Sequence, residues 1–162
     1  MTSALQTTQV YQVFIKATPQ AIWDAITDPA WNSRYGYGGD GTFDLTPGGA
    51  YRCIASAEMQ AAGMPEVVVT GEVVEADPPH KLVQTWDAGW NADPATTLTY
   101  EIAESAPGVC RLTVTHDVSG APETAAMVAG SIDGAGGGWA MVLSDLKTLL
   151  ETGSGLYAPP AA

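Results

Sequence analysis

Positive charge is scarce in this 162-residue sequence: six Lys and Arg stand against eighteen Asp and Glu, for a net charge of −12 at pH 7. A surface that negative repels phosphate backbones and anionic lipid, because a nucleic-acid binder must first neutralise phosphates with cations. Nucleic-acid and membrane-surface roles are therefore excluded as expectations. Long apolar runs are also missing. No stretch of about 18 apolar residues occurs, so no membrane-spanning helix is expected. Cysteine is reduced to Cys53 and Cys110, each inside a strand-like run with no Cys or His at ligand spacing. Two reduced, buried thiols are the expected state, with a disulfide or metal site as the alternative. Met1 to Gln9 lacks a basic stretch followed by an apolar block, so a secretory leader is not expected and a cytoplasmic address follows. Catalytic signatures are equally sparse. No Ser sits in a nucleophile elbow, no His and Glu share metal spacing, and the glycine run lacks the Lys-Ser/Thr ending of a phosphate loop. No metal and no cofactor is expected.

What is present is the patterning of a globular domain, with 46% hydrophobic residues. Val10 to Lys16 alternates, placing Tyr11, Val13 and Ile15 on one face of a half-buried strand. Thr18-Pro19 is a cap followed by proline at the first helical position, and Ile22, Trp23 and Ile26 continue at helical spacing until Asp28-Pro29. Trp31 to Gly39 reads as a helical turn and loop. Strands are expected at Thr42 to Leu45, Ala50 to Ser56, Val67 to Ala76, Lys81 to Asp87, Thr96 to Ile102 and Val109 to Val118, with turns at 46–49 and at Gln60 to Pro65. Sequential strands joined by short turns make an antiparallel sheet.

After the last strand the period changes to about 3.6. Trp139, Val142, Leu143, Leu146, Leu149 and Leu150 form one apolar stripe, with Ser144, Asp145, Lys147 and Thr148 largely opposite and Gly153 as the stop. The run Gly134-Ala135-Gly136-Gly137-Gly138 predicts a break between this helix and a short one at Pro122 to Gly130, since each helical glycine costs about 0.5–1 kcal/mol. The break reads either as a plain connection or as a hinge for a lid. The amphipathic helix must bury its stripe on the sheet, giving an α+β domain.

The stretch Thr18-Pro19-Gln20-Ala21-Ile22-Trp23-Asp24-Ala25-Ile26-Thr27-Asp28-Pro29 after an opening strand resembles the start of the START-like, or Bet v 1-like (SRPBCC), superfamily. More narrowly it resembles the proteins named after the C-terminal domain of the activator of Hsp90 ATPase. Supporting segments are Pro47-Gly48-Gly49, Asp77-Pro78-Pro79-His80-Lys81-Leu82, Leu112-Thr113-Val114-Thr115-His116 and the closing run from Gly138-Trp139 to Gly153. The resemblance covers a domain at 8–153, with 1–7 and 154–162 as flexible termini. It implies the helix-grip fold: a seven-stranded antiparallel sheet wrapped around a long C-terminal helix, two short helices between strands 1 and 2, and a cavity between them.

Function reads less directly. Trp31, Tyr35, Tyr51, Trp86, Tyr100, His116, Met127, Trp139 and Val142 are the expected ligand-binding residues, because pockets for apolar guests combine aromatic and sulfur side chains with a few polar groups. His116 is in phase with Leu112 and Val114, so it points inward. It is the one catalytic candidate, as an acid/base or a ligand anchor; a structural histidine is the competing reading. The expected activity is binding of a hydrophobic or aromatic small molecule by a monomer or homodimer. A polyketide cyclase or dehydratase using the same cavity and an Hsp90 co-chaperone-like ATPase activator are the alternatives.

Overall fold

The computed structural model describes residues 7–157. β1 (Thr8–Ile15) leads into α1 (Pro19–Thr27). Thr18 caps α1 by accepting the Ala21 N–H at 3.1 Å, and Pro19 occupies a position whose N–H would be unpaired anyway. Asp28 ends α1 in an extended conformation forced by the following proline. It also caps α2 (Pro29–Asn32), its Oδ1 accepting the Ala30 N–H at 2.9 Å.

β2 (Asp40–Phe43), β3 (Ala50–Ile54), β4 (Val67–Asp77), β5 (Lys81–Ala88), β6 (Thr96–Ala106) and β7 (Val109–Asp117) complete the sheet. Its order is β1-β7-β6-β5-β4-β3-β2, with every pair antiparallel. The expected turn at Gln60 to Pro65 starts inside a helix the sequence reading did not contain, α3 (Ala57–Ala61). Ser56 accepts the Met59 N–H at 3.2 Å, and this cap ends β3 at Ile54, two residues earlier than expected.

α4 (Pro122–Val128) and α5 (Gly138–Thr152) are separate helices, as the glycine run predicts. The reason is steric as well as entropic. A Cβ on Gly138 would run into the Val128 carbonyl oxygen, so the two chain segments cross at a distance only glycine permits. Leu143, Leu146 and Leu149 of α5 are buried against the sheet, each contributing about 1.5–3 kcal/mol. β1 is an edge strand, and α5 covers part of its open side. Lys147 donates to the Phe14 carbonyl at 2.8 Å, and Glu151 accepts the Lys16 N–H at 2.8 Å.

One α5 residue departs from the expected pattern. Asp145, placed by the helical wheel opposite the stripe, is buried. Its Oδ2 accepts the Gly36 N–H and its Oδ1 the Leu156 N–H, both at 2.8 Å, so the carboxylate pins two loops to the helix. Of the termini expected to be flexible, 1–6 and 158–162 lie outside the described residues. At the described ends, Thr7 accepts the Val118 N–H at 2.8 Å and Leu156 is held by Asp145. No helix among the described residues is long and apolar enough to cross a membrane.

Candidate functional site

The concave face of the sheet and the helices leave a cavity of about 190 Å³. From the strands come Tyr51, Trp86 and Tyr100; from α4 and α5 come Met127, Trp139 and Val142; Tyr35 enters from the loop after α2. These seven were expected. Period-two alternation turns Tyr51, Trp86 and Tyr100 inward, and α5 carries Trp139 and Val142 on adjacent turns of its inner face. Met59, Met64 and Trp90 also line the cavity, from α3 and the loops beside it and after β5.

Two expected binding residues lie elsewhere. Trp31 packs half-buried on the core without lining the cavity, and the Arg34 guanidinium sits over its ring at 4.7 Å. His116 is fully buried behind the cavity wall. Its ring stands edge-on to Trp86 and Trp139, with centroids 5.2 Å and 6.0 Å away. The Trp139 indole Nε1–H donates to His116 Nδ1 at 3.0 Å. An indole N–H can only donate, so Nδ1 carries a lone pair and Nε2 carries the proton. That proton goes to Thr96 Oγ1 at 2.7 Å, whose own hydroxyl donates to the Trp86 carbonyl at 2.9 Å. Both ring nitrogens are committed. Burial lowers the His116 pKa to about 4, the nearby Asp117 charge opposing it only in part. Of the two readings the sequence left open for His116, this bonding matches the structural histidine: both nitrogens are occupied and the ring joins two tryptophans of the wall.

The polar groups of the cavity are mostly committed as well. Tyr35 donates its hydroxyl to the Ala25 carbonyl at 2.8 Å. Asn32 donates to the Ile26 and Gly41 carbonyls at 3.1 Å and 2.8 Å and accepts the Gly41 N–H at 2.9 Å. Tyr51 and Cys53 lie side by side on the cavity face of β3, and Cys53 is a free thiol, like Cys110. The Tyr100 hydroxyl has no hydrogen-bond partner among the described residues, although it is deep in the cavity. Burial pushes the Tyr35, Tyr51 and Tyr100 phenols well above their ordinary range, and the Cys53 thiol upward too. All four stay protonated at neutral pH, and among the described residues no Asp, Glu, Lys or Arg lines the cavity.

Among solved structures the fold has many counterparts. A protein from Rhodobacter sphaeroides is 23% identical, with 93% of this chain and 95% of that chain covered and a TM-score of 0.67. CalU16 from Micromonospora echinospora is 18% identical over 90% of this chain and 76% of its own, with a TM-score of 0.64. PFC0360w from Plasmodium falciparum, described as an Hsp90 activator, is 24% identical over 68% of this chain and 71% of its own, with a TM-score of 0.54. At these identities the likeness is one of fold. No curated protein matches the chain. The profile described as activator of Hsp90 ATPase homolog 1-like protein matches residues 16–151, nearly the whole described domain. The chain belongs to the activator of Hsp90 ATPase homolog 1-like family.

Proposed function

We propose that this protein binds a small, uncharged aromatic or apolar molecule in the cavity between its sheet and α5. The observation that carries the reading is a cavity of about 190 Å³ walled by aromatic and sulfur side chains, with no charged side chain lining it among the described residues. An unpaired ion in such a place would cost several kcal/mol, so the lining favours a neutral guest. An engineered apolar cavity of about 150 Å³ accepts benzene, whereas drug-sized pockets run to about 300–1,000 Å³. A guest of one ring with a short substituent fits this volume. The Tyr100 hydroxyl is the group with which such a guest's oxygen would pair.

The cyclase or dehydratase alternative needs an acid or base poised near neutral pH. Burial holds the Tyr35, Tyr51 and Tyr100 phenols and the Cys53 thiol protonated, and His116 is committed on both nitrogens. Binding without turnover is therefore the better-supported reading. An Hsp90-directed role draws support only from the family's description and the Plasmodium relative.

Native mass spectrometry of the protein isolated from its own cells tests the proposal. The expected spectrum shows a neutral adduct released on denaturation. An adduct-free protein that converts an aromatic or polyketide substrate would favour the enzyme. Stimulation of Hsp90 ATPase that survives filling of the cavity would favour the interaction role.

A further inference from the structure

The wall between cavity and solvent is built unlike the rest of the cavity. Tyr37 lines the cavity and also an outer groove of about 400 Å³, and it is 41% exposed. One side of this residue therefore faces the interior and another faces water. Gly36 and Gly38, its two neighbours, both adopt left-handed backbone conformations, with φ of 65° and 78°.

Across the wall lies the glycine loop between α4 and α5. The Tyr37 hydroxyl donates to the Ala135 carbonyl at 3.3 Å and accepts the Gly138 N–H at 3.1 Å. Outside the helical bonds of α5 and a single local turn bond, from Ala135 N–H to the Ile132 carbonyl, these are the hydrogen bonds that 132–138 makes among the described residues. The ring is seated as closely as the hydroxyl. A Cβ on Gly136 would come within 2.7 Å of Tyr37 Cε1 and 2.9 Å of its hydroxyl oxygen. The absence of a side chain at 136 is what leaves room for the tyrosine. Gly138 begins α5 one residue before Trp139, so the latch closes directly above the aromatic wall. On the tyrosine's own side of the contact the 33–39 loop is anchored to α5, because the Gly36 N–H is held by the buried Asp145 carboxylate.

We infer that Tyr37 is the bar of a portal, bridging the 33–39 loop to the 130–138 glycine loop, and that a guest enters and leaves the cavity when this bar swings out of its glycine socket. This rests on the binding function proposed above. The hinge is cheap because the bar is flanked by glycines on both sides of the contact, whereas the cavity's far walls are paired strands. Opening breaks two hydrogen bonds, so the bar sets how fast guests exchange. How tightly a guest is held depends instead on the aromatic wall and Tyr100.

The test uses fluorobenzene as probe, with exchange rates from ¹⁹F saturation transfer on the full chain. Tyr37→Phe keeps the ring and removes both bonds, and Gly136→Ala fills the socket. Each should raise association and dissociation together by about tenfold, the effect of losing one or two ordinary hydrogen bonds from the closed state. The Gly138 amide should also exchange with solvent faster in Tyr37→Phe without any probe. Unchanged rates in both variants would overturn the portal, as would a rise in dissociation alone, which would make Tyr37 a guest contact. Failure of the wild type to bind fluorobenzene at all would contradict the cavity's function itself and take the portal with it. That outcome is distinct from binding at an unaltered rate.

Discussion

Trp139 donates its indole N–H to His116 across 3.0 Å, and this one bond sets the tautomer of a fully buried histidine. Donors then run in a single direction, from Trp139 through His116 and Thr96 to the Trp86 carbonyl. A proton added to Nδ1 would break the first link and face the Trp139 N–H. Desolvation therefore acts together with geometry to keep the ring neutral.

The pH dependence of stability follows. The His116 pKa is about 4 in the folded protein and about 6.5 in an unfolded chain. Above pH 6.5 both states carry a neutral ring and nothing is lost. As pH falls from 6.5 towards 4 the unfolded chain binds a proton that the folded protein refuses, and stability drops by up to about 3 kcal/mol. Urea unfolding at intervals between pH 7 and pH 4, on wild type and His116→Gln, measures this. The decline in that window should be markedly shallower in the variant, and equal declines would contradict the assignment.

Thr96→Val preserves the volume of that side chain and removes its hydroxyl. The His116 Nε2–H and the Trp86 carbonyl then lose their partner in a buried site. A loss of about 2 kcal/mol or more is expected in chemical denaturation, whereas Thr97→Val on the exposed face should change stability by less than about 0.5 kcal/mol.

Asp145→Ala should cost about 2–4 kcal/mol, because it strips the acceptor from two backbone N–H groups, those of Gly36 and Leu156. Amide exchange gives the local signature: both of these amides should lose protection together, although they belong to loops far apart in sequence.

Tyr100→Phe separates the polar anchor from the apolar wall. Affinity for acetophenone, whose ketone oxygen accepts a hydrogen bond, should fall by about 3–10-fold. Affinity for toluene, which has no acceptor, should stay within about twofold. Calorimetric titration of both compounds into both proteins reads the difference, and equal losses would mean that the hydroxyl does not face the guest.

Much of the architecture could be read in advance because its two periods are so different. Alternation marks strands such as Val109–Asp117, and the 3.6-residue stripe marks α5. Phase alone also turned His116 inward. Phase says nothing of partners, however, and Thr96 and Trp139 reach it from 20 and 23 residues away. That distant pairing is what separates the structural reading of His116 from the acid/base one. Asp145 misled for a related reason: a helical wheel assigns a carboxylate to solvent, and only folding brings Gly36, 109 residues away, to its oxygen. Trp31 stands in the expected helical turn but packs on the core and Arg34. Met59, Met64 and Trp90 add aromatic and sulfur side chains to the cavity wall. No periodicity in α3 or the neighbouring loops shows which way they point.

The most direct test is a titration with acetophenone followed by tryptophan fluorescence, since Trp86, Trp90 and Trp139 all line the cavity. Wild type should show saturable, single-site binding that Val142→Trp, which fills the space beside Trp139 and Gly36, abolishes while the protein remains folded by circular dichroism. No saturation in wild type, or binding that survives Val142→Trp, would contradict the account.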